Sequence, residues 1–271
     1  MTGNKRKQFM FRIFIQITSS LLVCFSFIVH ADQSNRIRPY EENQSFWQYK
    51  GKPVMLIGGN QDDNTFQIPD LESYLDEMIS VGANYVRNVM SSRDEGNEQA
   101  FKKLPNGKYD LNQWNDAYWT RLENLLKWSA ERDIIVQLTL WDRFDYYRDE
   151  WKNCPWNPQN NINYTSVESG LAQSYPEHPA KDTNPFMYVG NKVMPLQEQW
   201  IDKILSYTLS ANNVLYNMAN EHQSGGKGRA WCEYWAAYIR NKASLPNIWT
   251  KKRVSTLFPV QESLKFNLRF L

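Results

Sequence analysis

Val214-Leu215-Tyr216-Asn217-Met218-Ala219-Asn220-Glu221 is the stretch that decides how this chain reads. Successive strand residues point to opposite sides. Val214, Tyr216 and Met218 therefore share one face, and Leu215, Asn217, Ala219 and Glu221 share the other. The first set is bulky and suits packing beneath helices. The second mixes small and polar groups, as an enclosed interior does near its mouth. Glu221 then stands at the carboxyl end of the strand and points inward at the rim. Partial burial there would raise a carboxyl pKa and keep it protonated for general-acid work.

Working outward, the chain alternates strand-like and helix-like segments. Residues 53–57 read as a buried strand closing at Gly58-Gly59-Asn60. Pro69 opens a helix over 69–81, with Leu71, Leu75, Met78 and Ile79 as its apolar stripe, and Gly82 stops it. Residues 84–90 read as a second strand. A long helix over 116–132 presents Trp119, Leu122, Leu125, Leu126 and Ser129, and a third strand follows at 134–140. After an irregular stretch from 141 to about 190 come a helix over 195–209, the fourth strand at 213–219 and a helix over 229–242. This alternation indicates an α/β fold with a parallel sheet wrapped by helices. Open sheets and closed barrels share the pattern. A dinucleotide site is disfavoured, because Gly58-Gly59-Asn60-Gln61 lacks the glycine spacing of the phosphate-binding turn.

In parallel α/β folds, active groups gather at the carboxyl ends of the strands. Those ends carry Asn60, Arg87 with Asn88, Trp141 with Asp142, and Asn220 with Glu221. Polar or aromatic residues follow an apolar run at each of them, which marks a candidate site. The irregular stretch adds Phe144, Tyr146, Tyr147, Trp151, Trp156, Tyr164, Tyr175, Phe186 and Tyr188 among Asn, Asp and Pro. Long loops inside compact domains are usually functional. Aromatic faces beside amides and carboxylates suit a saccharide, which presents C–H faces and hydroxyl rims together. A small satellite core would use the same aromatics, so both roles are expected of them.

The segment ending Asn220-Glu221 resembles the fourth-strand signature of the clan A glycoside hydrolases, the retaining (β/α)8 TIM-barrel enzymes related to cellulases. Gly82-Ala83-Asn84-Tyr85-Val86-Arg87 resembles that clan's second strand. Residues 110–134 resemble its second helix leading into the third strand. The similarity spans about residues 46–250. It implies that Glu221 is the acid/base and that Asn220 hydrogen-bonds the sugar hydroxyl beside the reacting carbon. It further implies that Arg87 holds the nucleophile carboxylate supplied by the seventh strand, with Asn60 nearby at the mouth. Two departures stand out. His222 follows Glu221 where many members have Pro, and reads equally as a sugar-binding side chain or a bystander. The third strand ends in Trp141-Asp142 where relatives often show His, and Trp141 is read as a sugar platform with Asp142 a substrate contact.

The ends of the chain differ from its middle. Lys5, Arg6, Lys7 and Arg12 precede an apolar run closed by Val29-His30-Ala31, the pattern of a secretory signal peptide over 1–31, and a secreted or periplasmic protein is expected. Its removal takes four of the 31 Lys+Arg and none of the 29 Asp+Glu, so the net charge of +2 becomes about −2. No basic stripe remains, which argues against nucleic acid as a partner, and no membrane contact is expected after cleavage. Cys154 and Cys232 lack metal-type spacing, and the three histidines form no metal motif, so neither a metal nor a cofactor is expected. Residues 32–250 supply about four to five βα units of an eight-unit barrel, which takes roughly 250 residues with short loops. Residues 251–271 are basic and break the alternation, as a frame-shift near Thr250 would produce, and the barrel reads as incomplete. The expected activity is hydrolysis of O-glycosidic bonds in a poly- or oligosaccharide. A non-catalytic carbohydrate-binding remnant of such an enzyme is the alternative.

Overall fold

The structure is a computed structural model, and it describes residues 35–146, 148–174, 192–221 and 226–243. The expected signal peptide, His222, the late loop aromatics Tyr147, Tyr175, Phe186 and Tyr188, and the tail over 251–271 lie outside the described residues. A compact unit begins at Arg36.

The unit opens with a small antiparallel sheet of β1 (Arg38–Pro39), β2 (Trp47–Tyr49) and β3 (Lys52–Val54), in that order. Tyr49 pairs with Lys52, which leaves Lys50 and Gly51 as a two-residue turn. Both have positive φ, 50° and 73°, the geometry whose twist matches a hairpin. The expectation of a buried strand over 53–57 is corrected here. Lys52–Val54 belongs to the hairpin, and Met55 and Ile57 are 66% and 53% exposed.

The chain beyond β3 still lies alongside the main sheet, held by a side chain rather than a regular ladder. Asn84 accepts from Ile57 N–H through Oδ1 at 2.8 Å and donates from Nδ2 to the Met55 carbonyl at 3.0 Å. Asn84 N–H also donates to the Ile57 carbonyl at 2.7 Å. Gly58 then makes a parallel bridge to Tyr85. The approach is so close that a Cβ on Gly58 would fall 1.7 Å from the Tyr85 carbonyl oxygen, so only glycine fits.

The main sheet follows. After α1 (Leu71–Ser80) comes β4 (Tyr85–Val89). A hairpin of β5 (Phe101–Lys103) and β6 (Tyr109–Trp114) leads into α2 (Asp116–Glu131) and β7 (Ile135–Asp142). Two short helices, α3 (Arg148–Asn153) and α4 (Ser166–Ser169), occupy the irregular stretch. Then come α5 (Met194–Thr208), β8 (Val214–Asn220) and α6 (Gly226–Lys242). The sheet order is β4-β7-β8, all parallel. The α/β class expected from the alternation is thus observed.

The helices pack largely through the stripes their sequences show, but Ile79, expected in the stripe of α1, is 44% exposed. Leu71, Leu75 and Met78 of α1 are buried. So are Trp119, Leu122, Leu125, Leu126 and Ser129 of α2, whose N-terminus is capped by the Asn115 side chain accepting from Ala117 N–H. The alternation proposed for β8 holds within Val214–Asn220 but stops before Glu221. Val214 and Met218 are buried, and the Tyr216 hydroxyl donates to Thr208 Oγ1 of α5 at 2.7 Å. Asn217, on the other face, donates to Thr139 Oγ1 of β7 at 3.3 Å. Asn213, just before β8, is fully buried and donates to Ser129 Oγ and the Ile134 carbonyl, tying β8 to the end of α2.

Candidate active site

The carboxyl ends of the three parallel strands meet in a ring of charged and amide side chains. Arg87, on β4, donates from Nη1 to Asp63 Oδ1 at 2.8 Å and from Nη2 to Asn220 Oδ1 at 2.6 Å. Asp63 accepts on its other oxygen from Arg93 Nη2 at 2.9 Å. Arg93 Nη1 pairs with Asp142, the last residue of β7. Asp142 accepts from Asn220 Nδ2, at 3.3 and 3.4 Å to its two oxygens. The circuit closes at Asn220, the last residue of β8. Two guanidinium and two carboxylate groups alternate in it, so its formal charges cancel.

Local structure explains why these residues converge. Asp63 is brought in by backbone contacts. Its carbonyl accepts from Val89 N–H at 2.8 Å, and Thr65 Oγ1 donates to the Arg87 carbonyl at 3.2 Å. The turn over Thr65–Gln67 is buried and pinned by Phe66 N–H donating to Asn88 Oδ1 at 2.9 Å. Arg93 sits just past β4, with its guanidinium carbon 5.8 Å from the centre of the Phe144 ring. Asp142 is fully buried and also accepts from Phe144 N–H at 3.0 Å. A buried carboxylate persists only where charge and hydrogen bonds compensate it, and Arg93, Phe144 N–H and Asn220 supply both.

Asp145 stands beside the ring. It accepts from Ser91 Oγ at 2.7 Å and lies 3.5 Å from Arg93 Nη1. Burial, and then the negative charge of Asp142, push its carboxyl up to about 7, against the opposing pull of Ser91 and Arg93. Next to it lies a cavity of about 90 Å³ whose walls include Arg93, Asp145, Glu150, Trp141, Trp156 and Trp200. Among the described residues no group of three or more His, Cys, Asp and Glu could hold a metal ion. Cys154 and Cys232 are both buried free thiols.

Several expected site residues take other places. Glu221 was expected partly buried, and it is exposed. Its φ of 47° ends the strand alternation, and its carbonyl accepts from Arg143 Nη1 at 3.2 Å. Asn60 is not in the ring. It is exposed, with Nδ2 donating to the Asp62 carbonyl at 3.0 Å, and Asp63 three residues later takes the position expected of it. Trp141 is no sugar platform. It is 2% exposed, its ring centroid 5.6 Å from those of both Trp231 and Trp235 on α6. Asp142 is at the mouth as expected, but its burial makes it a holder of Asn220 and Arg93 rather than a substrate contact. Arg87 is where it was expected, engaged with Asp63 and Asn220. Of the loop aromatics, Tyr146, Trp151, Trp156 and Tyr164 are buried, which is the satellite-core role. Sequence reasoning missed Asp63, Arg93 and Asp145. The signal available was their nearness to strand ends: Asp63 after the first apolar run, Arg93 after the second, and Asp145 three residues past Asp142.

A family model described as "Domain of unknown function (DUF6298)" matches residues 90–263. The chain belongs to this family. Arg93, Asp142, Asp145 and Asn220 fall inside the DUF6298 match, and Asp63 and Arg87 precede it. Among curated proteins no sequence matches the chain. Solved structures do. A glycoside hydrolase family 5 mannosidase from Rhizomucor miehei aligns with a TM-score of 0.50 at 16% identity, over 78% of this chain and 54% of that one. The endo-1,4-β-mannanase of the same fungus aligns with a TM-score of 0.46 at 15% identity, over 73% of this chain and 56% of that one. A glycoside hydrolase family 5 protein from Bacteroides vulgatus gives 0.44 at 14%, over 78% and 38%. This DUF6298 chain therefore has a glycoside hydrolase-like fold, and it spans about half the length of the mannosidase it aligns with.

Proposed function

We propose that this chain is part of a (β/α)8 glycoside hydrolase, with Glu221 as the proton donor to the leaving glycosidic oxygen. Asn220 is the amide that binds the sugar hydroxyl beside the reacting carbon. One observation carries this: the Asn220-Glu221 pair ends a parallel strand, and the Asn220 amide is locked to Arg87 on one side and Asp142 on the other. A carboxamide has two N–H donors. One points to Asp142, which leaves the second for a ligand hydroxyl. The left-handed backbone at Glu221 agrees with a functional position, since such strain persists only where its surroundings impose it. Bound sugar would exclude water from the Glu221 carboxyl, giving the desolvation that a general acid needs. Retention of configuration takes a second carboxylate about 5–5.5 Å from the first, which the clan resemblance assigns to a seventh strand. Export after removal of residues 1–31 belongs to the same proposal.

The exposure of Glu221 also favours a second function, saccharide binding without cleavage. The full chain and its Glu221→Gln variant, assayed for binding and reducing-sugar release on β-mannan, cellulose and xylan, separate the two. A general acid contributes about 10²–10⁴-fold in rate, so the variant should bind as the wild type does and hydrolyse at least about a hundredfold more slowly. Binding by both with hydrolysis by neither supports the second function, and no binding by either rejects both.

A further inference from the structure

We infer that Arg93 is a positioning residue for the Asn220 amide, acting through Asp142 without touching Asn220 itself. The inference rests on the proposed role of Asn220 and adds the device that orients it.

A carboxamide can sit in two flipped states that differ by the exchange of O and N. At Asn220 one of them meets a guanidinium donor at Oδ1 and a carboxylate acceptor at Nδ2. The other would face Nδ2 to Arg87 and Oδ1 to Asp142, with both contacts repulsive. The flip is therefore fixed by the carboxylate at position 142. Asp142 is fully buried, and Arg93 is the cation paired with it. Arg93 Nη1 and Phe144 N–H hold that carboxylate facing Asn220 Nδ2, so without Arg93 its oxygens are free to turn away from the amide.

Arg93 is placed to do this reliably. Its second Nη is held by Asp63, which holds Arg87 as well, so one carboxylate sets the spacing of both guanidinium groups. Its guanidinium carbon lies 5.8 Å from the centre of the Phe144 ring, and its side chain is 17% exposed. A lysine could supply the charge there but not the two-armed geometry that spans Asp63 and Asp142. The loop after the first strand, β4, β7 and β8 thus converge on the orientation of one amide.

The test reads that amide directly. Full-length protein labelled with ¹⁵N-asparagine gives side-chain NH₂ signals, and the one lost in Asn220→Ala assigns position 220. Hydrogen bonds to charged groups are stronger than neutral ones, so losing this acceptor in Arg93→Met should speed Asn220 NH₂ exchange about tenfold and shift its resonances. The remaining asparagine signals should stay in place, and Arg93→Lys should recover part of the protection. Exchange within about twofold of wild type in Arg93→Met overturns the inference. Should Arg93→Met fail to fold, Arg93→Gln, which keeps a polar side chain without the charge, reads the same amide. A gain of about threefold supports the inference, and an unchanged signal overturns it. Sugar binding measured on the same samples keeps the two proposals apart. Absence of binding counts against the carbohydrate function, while the amide exchange still reports on Arg93.

Discussion

Replacing Asp145 by asparagine should stabilise the protein above pH 7 and leave it nearly unchanged near pH 4. The Asp145 carboxyl rises from an ordinary 3.8 to about 7 in the fold, because burial and the neighbouring Asp142 both oppose its charge. The unfolded chain releases this proton near pH 4 and the folded chain keeps it until about pH 7. Between those limits the folded state binds more protons, so stability falls as pH rises. At about 1.4 kcal/mol per tenfold change in an equilibrium, the ceiling of the effect is about 4 kcal/mol. The side chain keeps 16% of its surface, so water relieves part of the penalty, and about 3 kcal/mol is the expected loss at pH 8. Asparagine retains an oxygen to accept from Ser91 and carries no charge to bury. Urea denaturation of wild type and Asp145→Asn at pH 4.5 and pH 8 isolates the group, because every other titration is common to both proteins. The variant should gain about 2 kcal/mol over the wild type on going from the lower to the higher pH, because about 1 kcal/mol of the loss is already present at pH 4.5. Parallel behaviour of the two proteins across that range would refute the burial argument.

Two further outcomes follow from the packing. A Cβ at Gly58 would meet the Tyr85 carbonyl oxygen at 1.7 Å, so Gly58→Ala must push the segment around Gly58 away from β4. A loss of about 3 kcal/mol, at the upper end of overpacking effects, is expected from urea midpoints, and a change below about 1 kcal/mol contradicts the close approach. Trp141→Ala should cost about 3–5 kcal/mol of stability, as the loss of a core indole does. Intact stability with impaired sugar binding would return Trp141 to a surface role.

What the sequence disclosed and what it hid divide along physical lines. The helices from Leu71, Asp116 and Met194 and the strands from Tyr85, Ile135 and Val214 lie within a few residues of their expected limits. Each buries a face whose period is written in the apolar residues. The first strand escaped because Pro53-Val54-Met55-Leu56-Ile57 looks like a buried run, whereas its contact with β4 runs through the Asn84 amide, which hydrophobicity does not encode. The β5–β6 hairpin escaped because Phe101–Lys103 and Tyr109–Trp114 together carry five polar residues against four apolar ones.

At the site, position along a strand found Asp142 and Asn220, which pair in register at the ends of β7 and β8, and Arg87, whose long side chain reaches Asn220 from within β4. It could not find Asp63 or Arg93, which arrive from loops by way of hydrogen bonds to β4 and a ring contact with Phe144. Trp141 misled for a related reason. A tryptophan at a strand end fits a sugar platform equally well until the helix that carries Trp231 and Trp235 is seen to cover it.

A crystal structure of the Glu221→Gln variant with a bound oligosaccharide tests the central claim most directly. The Asn220 amide should donate to a sugar hydroxyl, and the side chain at position 221 should reach the glycosidic oxygen, both within about 3.2 Å. Saccharide seated away from Asn220, with the ring of Arg87, Asp63, Arg93 and Asp142 untouched by it, would contradict the claim.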